Sequence, residues 1–159
     1  MKDKPLAVRE DVGGELLAGT PSYSSSTRAL ELPARPAAAA DRVKTLALGK
    51  LVLALDYQTQ RLLGLTAFLP ASRWGISECG PPPPDTQGSL GFTLDFGADD
   101  FRFYDLPPRC YFHESSGSLQ VKLGEGGVLA VRTGLRLVAG LSREGGLTDL
   151  WLEGLRFRA

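Results

Sequence analysis

The chain holds one histidine, His113, and two cysteines, Cys79 and Cys110. Imidazole is the side chain best suited to moving protons near neutral pH, so acid–base or nucleophilic chemistry has a single candidate centre. Tyr111, Glu114 and Asp105 are its neighbours in sequence, with Ser115 and Ser116 just beyond. Adjacent strand residues point to opposite faces, which argues against a ready-made His113–Glu114 dyad. Cys110-x-x-His113 with Cys79 offers three zinc-type ligands. A structural zinc site takes four, in paired short spacings, and Asp105 or Glu114 would have to complete the set. One buried thiol, one loop thiol and a surface histidine is the preferred reading. Asp95, Asp99, Asp100 and Asp105 could hold a hard cation, but a solvated hairpin tip is the preferred account of them. Asp95-Phe96-Gly97 spells the metal-binding triplet of protein kinases, without the phosphate loop, strand lysine or His-Arg-Asp loop that chemistry needs. The glycine-rich stretches 124–127 and 145–146 lack the strand before and helix after of a phosphate loop. No catalytic residue, metal or cofactor is therefore assigned, and the reading leans away from an enzyme.

The elements that would position these residues read as β-structure. Residues 1–21 are polar and broken by Gly13-Gly14, and form an N-terminal arm, either disordered or docked. Residues 33–41 are rich in Ala and Pro and read as a loop or one helical turn. From Arg42 the pattern alternates, with Val43, Thr45 and Ala47 on one side and Lys44, Leu46 and Leu48 on the other. Leu51 to Leu55 is a short apolar run, and Leu62 to Leu69 a further strand ended by Pro70; together these read as a meander. Residues 70–90 read as an irregular linker. Its four prolines, Pro81 to Pro84, are extended because consecutive prolines favour polyproline II. A stiff connector is preferred over a ligand for a proline-recognising domain.

A hairpin is expected over 92–105. Phe92, Leu94, Phe96, Phe101 and Phe103 would then cover one side of a core, with Asp95 opposite Arg102. Further strands are expected at Leu119–Leu123, Val128–Val131, Leu135–Leu141 and Leu147–Leu152, separated by Gly-rich turns. In the last, Trp151 alternates with Leu147 and Asp149, while Thr148, Leu150 and Leu152 take the other face.

Two stretches of the chain repeat one another. Gly49-Lys50-Leu51-Val52-Leu53-Ala54-Leu55-Asp56, a turn, then Arg61-Leu62-Leu63-Gly64-Leu65 matches Gly134 to Ser142, a turn, then Gly146-Leu147-Thr148-Asp149-Leu150. Upstream, Tyr23 to Ser26 before Ala29 to Leu32 parallels Phe112 to Ser115 before Ser118 to Val121. The fold class expected is all-β: two pseudo-symmetry-related meander units, each of four strands, in one domain over 22–159. The units span 22–69 and 111–155, with a linker and inserted hairpin at 70–110. Paired faces or edges would leave neither unit with an exposed apolar side.

This repeat resembles a family of short uncharacterised bacterial β proteins. There an Asp-x-Leu-x-Ile strand is followed by a second strand, a polar turn and a Gly-x-Leu-x-Gly-Ile-Glu strand. Arg61-Leu62-Leu63-Gly64-Leu65 looks like the last element, with Thr66 where an acidic residue is expected. The resemblance implies a β fold and no assigned activity.

Eighteen basic residues balance eighteen acidic ones. A generic nucleic-acid binder needs a basic excess to neutralise phosphates, so nucleic acid is not the expected partner. No run approaches the ~20 apolar residues of a membrane helix, and no signal-like apolar stretch follows Met1-Lys2-Asp3-Lys4-Pro5. A cytoplasmic protein with free thiols is expected, a Cys79–Cys110 disulfide staying open for an exported one. The leading functional expectation is a non-enzymatic protein-binding module, of inhibitor, adaptor or assembly type. Trp74, Tyr104, Tyr111, His113 and Glu114 are its candidate contact residues. The alternatives are a small-ligand carrier or enzyme with a cleft between the units, and a self-assembling subunit.

Overall fold

The computed structural model describes residues 8–12, 15–33 and 42–159. Of the arm, 1–7 and 13–14 lie outside the described residues, as do 34–41 of the Ala/Pro-rich loop. Fifteen strands are formed within the described residues: β1 (Val8–Val12), β2 (Ser22–Ser24), β3 (Ala29–Leu32), β4 (Val43–Leu48), β5 (Leu51–Asp56), β6 (Leu62–Ala67), β7 (Gly75–Ile76), β8 (Thr86–Phe92), β9 (Phe101–Tyr104), β10 (Arg109–His113), β11 (Ser118–Lys122), β12 (Gly127–Gly134), β13 (Leu137–Ser142), β14 (Leu147–Leu152) and β15 (Arg156–Arg158). They make two sheets, ordered β15-β2-β3-β6-β5-β4-β9 and β1-β8-β12-β13-β14-β11-β10-β7.

The expected duplication is present. β2 to β6 are ordered β2-β3-β6-β5-β4, and β10 to β14 are ordered β10-β11-β14-β13-β12, so the two units share one topology. Each has five strands rather than four, and the second begins at Arg109 rather than 111. The registers superimpose. Leu51, Leu53 and Leu55 pair with Ala67, Leu65 and Leu62 as Leu137, Ala139 and Leu141 pair with Leu152, Leu150 and Leu147. A bulge falls at the same place in both, at Leu63 and at Thr148. The bulge inserts one residue and so resets the alternation. For this reason Leu147 joins Leu150 and Leu152 in the core, instead of sharing a face with Asp149 and Trp151 as expected. The alternation of β5 puts Leu51, Leu53 and Leu55 inward, with Val52 and Ala54 half-buried on the outer face. Inward residues of both sheets form one apolar core, from Leu30, Leu46 and Leu53 to Leu119, Val131 and Leu150.

The strand that succeeds each unit is exchanged with the other. β7 comes after the first unit and adds in parallel to β10 of the second. β15 comes after the second unit and adds in parallel to β2 of the first. Upstream segments cross too. β9, just before the second unit, runs parallel to β4, and Leu17, just before the first, makes a parallel bridge to Gly134 of β12. Each unit thus caps the edges of its twin, which removes the unpaired N–H and C=O rows of a free sheet edge.

The expected hairpin over 92–105 does not form. β8 pairs with β12 and β1 in one sheet, whereas β9 pairs with β4 in the other. Phe92 and Phe96 are buried, but Phe101 and Phe103 remain 54% exposed. β9 sets Arg102 and Tyr104 beside the buried Leu46 and Leu48, which turns the two phenylalanines to the outer face. Arg102 donates a hydrogen bond to the main-chain carbonyl of Asp95 rather than pairing with its carboxylate. The linker is less irregular than expected, since it contains β7 and the start of β8. The arm docks through β1, which pairs antiparallel with β8, and through the buried Leu17.

Candidate functional site

The two exchanged strands meet at a cluster of aromatic rings. Trp74 lies between Tyr23 and Phe112, with ring centroids 4.8 and 6.0 Å away, and Phe157 of β15 closes the group at 5.6 Å from Phe112. By register Tyr23 and Phe112 are equivalent residues of the two units. The indole N–H of Trp74 donates to the Leu69 carbonyl at 2.9 Å. The Tyr23 hydroxyl accepts from the Ala71 N–H at 2.8 Å. These bonds fold the chain after Pro70 back onto the core, and satisfy the polar tips of the buried Tyr23 and the half-buried Trp74.

Against this cluster lies a cleft of about 630 Å³ between the units. One wall is the β4–β5 turn at Lys50 and the segment Phe68 to Gly75; the other is Pro107 to Tyr111. Tyr111 packs against β7, where an added Cβ at Gly75 would come within 2.8 Å of its ring. Glycine is the residue that permits this approach. Phe68 stands at the rim, 52% exposed, with its N–H bonded to the Lys50 carbonyl at 3.1 Å.

The cleft is apolar with a one-sided charge. Lys50, Arg73 and Arg109 line it, and no described carboxylate does. Among the described residues neither Lys50 nor Arg73 is in an ion pair, and Arg109 reaches only Glu125, at 4.0 Å. Cys110 lies at its inner end, and burial pushes that thiol up to about 12, so it stays a neutral thiol across the physiological range. The arrangement can hold a group with an apolar body and a negative end, through exposed aromatic surface and cations of low mutual compensation.

Of the expected contact residues, the structure brings Trp74 and Tyr111 together here. Tyr104 is not among the cleft-lining residues; it packs against the core at the end of β9, its carbonyl accepting from the Gly49 N–H at 3.1 Å and Arg102 lying over its ring. His113 and Glu114 sit at the β10–β11 hairpin turn, where His113 Nδ1 and Ser116 Oγ lie 2.6 Å apart and Gly80 packs against the imidazole. Both cysteines are free thiols, Cys79 exposed and Cys110 buried. Among the described residues no group of three His, Cys, Asp or Glu converges as metal ligands do. Sequence reasoning missed Lys50, Arg73, Arg109 and Phe68. Their one signal is that each lies within two residues of a glycine or proline break, where a side chain escapes the strand alternation.

No protein-family model matches the chain, and no curated protein matches it.

Proposed function

We propose that this protein is a non-enzymatic protein-binding module, and that its partner presents an acidic segment bearing apolar or aromatic side chains to the cleft between the two units. The observation that carries this reading is the cleft itself, with Trp74, Tyr111 and Phe68 as aromatic surface and three cations without a lining carboxylate. Aromatic anchors and arginine are the residues that concentrate binding energy at protein interfaces. The chain's zero net charge favours a protein partner over nucleic acid. Among the described residues no helix is long and apolar enough to cross a membrane. The two unpaired cysteines support a reducing, cytoplasmic setting.

The test is partner capture with the tagged full-length protein, read by mass spectrometry, beside the variant Lys50→Glu/Arg73→Glu. Both side chains are exposed, so the variant keeps its fold and its melting temperature. A stoichiometric partner held by the parent and lost by the variant supports the reading. A partner held equally by both overturns it.

A second reading is a small anionic amphiphile in the same cleft, favoured by the volume, which falls in the ~300–1,000 Å³ range of small-molecule sites. Medium-chain carboxylates would then raise the melting temperature by mass action, and Lys50→Glu/Arg73→Glu would abolish the shift.

A further inference from the structure

The repeat supplies an internal control for a second site. On the outer face of the first unit, Glu31, Ala54, Gly64 and Thr66 are neighbours by register. The equivalent positions of the second unit are Gln120, Gly140, Asp149 and Trp151. The first unit folds with a glycine and a threonine where the second carries a carboxylate and an indole, so the fold itself demands neither.

Asp149 is 6% exposed. Its Oδ1 accepts from the Gln120 side-chain amide and its Oδ2 from the Thr148 hydroxyl, each at 2.8 Å. Both donors are neutral. Lys122, opposite Asp149 on β11, bonds instead to Glu125 at 3.1 Å. Among the described residues no cation pairs with Asp149. A carboxylate accepts about four hydrogen bonds, so capacity remains. A buried charge without a counter-charge is costly and invites one.

The space around this carboxylate is built. An added Cβ at Gly140 would lie 3.1 Å from both Asp149 Oδ2 and Trp151 Cζ3, and one at Gly127 would lie 3.1 Å from the same Oδ2. Two glycines therefore cradle the carboxylate and let the indole lie across β13. The space opens on a groove of about 400 Å³ whose lining includes Pro82, Pro83, Asp85 and Glu125. Its lining carries three carboxylates, Asp85, Glu125 and Asp149, against one ammonium, Lys122.

We propose that this groove binds an organic cation, an alkylammonium or guanidinium group that stacks on the Trp151 ring and pairs with Asp149. An indole face attracts a cation through its quadrupole, and a desolvated carboxylate supplies the charge-assisted bond. The groove shares no lining residue with the basic cleft and is opposite to it in charge.

The experiment is isothermal titration of the full chain with choline, spermidine and Nα-acetyl-lysine methylamide, beside two neutral controls. The controls are 3,3-dimethyl-1-butanol, which replaces the choline nitrogen by carbon, and the Nε-acetylated form of the lysine probe. Binding by at least one cation and by neither control is expected, weakening as salt rises. Asp149→Asn, nearly isosteric, should weaken the bound cation on the order of ten-fold or more, a loss of one charge-assisted contact. Trp151→Leu, on the half-exposed part of the groove, should do likewise, and Lys122→Gln should tighten it. Choline or spermidine binding identifies a small amine, and binding of the lysine probe a side chain of a protein. Silence from all three cations, equal binding of cation and control, or undiminished binding by folded Asp149→Asn and Trp151→Leu overturns the proposal.

Discussion

Tyr23 and Trp74 meet edge to face with ring centroids 4.8 Å apart, and this contact ties the first repeat to the segment that crosses to the second. Tyr23 belongs to β2, whereas Trp74 immediately precedes β7, the strand handed to β10. Trp74→Ala would remove the ring that touches Tyr23, Phe112 and Phe157 together, and would orphan the Leu69 carbonyl. Core aromatic truncations cost about 3–5 kcal/mol, and Trp74 is only half-buried, so a loss of about 2–3 kcal/mol is expected. Chemical denaturation reads it directly. Trp74→Phe should recover most of the loss, because the apolar packing survives.

Arg28 and Gly117 close the same turn in the two units, with φ of 58° and 66°. A left-handed conformation costs a non-glycine residue roughly 1–2 kcal/mol, part of which glycine gives back as unfolded-chain entropy. Arg28→Gly should therefore stabilise the protein by about 0.5–1 kcal/mol. Gly117→Arg should destabilise by a similar amount. Melting temperatures of the pair moving in the same direction would refute the equivalence of the turns.

Asp56 caps the β5–β6 turn, where Oδ2 accepts from the N–H groups of Gln58 and Thr59 and from the Thr59 hydroxyl, at 3.0, 2.7 and 2.9 Å. The Thr59 N–H above all holds its carboxyl below the usual carboxylate value, against the desolvation that would raise it. A group whose folded value is depressed stabilises the native state above its unfolded value, about 3.9, and loses that contribution as the pH falls through the folded value. Asp56→Asn should thus be less stable than the parent at pH 7, by about 1 kcal/mol for an exposed charged acceptor. The gap should shrink steadily below pH 4. A gap independent of pH would assign the effect to shape rather than charge.

Cys79 is exposed and Cys110 buried, with the Cys110 thiol pushed up to about 12 by burial. Thiolate is the reactive form, so a disulfide-exchange reagent at pH 8 should titrate one thiol in the native protein and two in denaturant. Two fast thiols under native conditions would place Cys110 at the surface. Cys79→Ser should abolish the native reaction without changing the melting temperature.

Much of the β-structure was legible because it rests on local patterns. Leu51, Leu53 and Leu55 alternate with period two, and glycine and polar runs punctuate the strands, so strand character and inward face follow from short-range sterics and burial. The repeat was legible for the same reason, since equivalent positions face equivalent burial: Leu62 and Leu65 match Leu147 and Leu150. Alternation does not carry its own sign, however. Phe101-Arg102-Phe103-Tyr104 reads with the phenylalanines inward, and pairing with β4 reversed this, turning Tyr104 to the core and the phenylalanines out. Nor does local pattern choose a partner strand. β8 and β9 are neighbours in sequence but were drawn to separate sheets, because the free edges of β12 and β4 were there to be paired. The exchange of β7 and β15, the cleft it creates and the charges gathered around it are products of that long-range edge satisfaction. The sequence by itself determined that there would be strands, turns and two copies of one unit. The tertiary structure alone decided which edges met, because strand pairing is settled by residues distant in the chain.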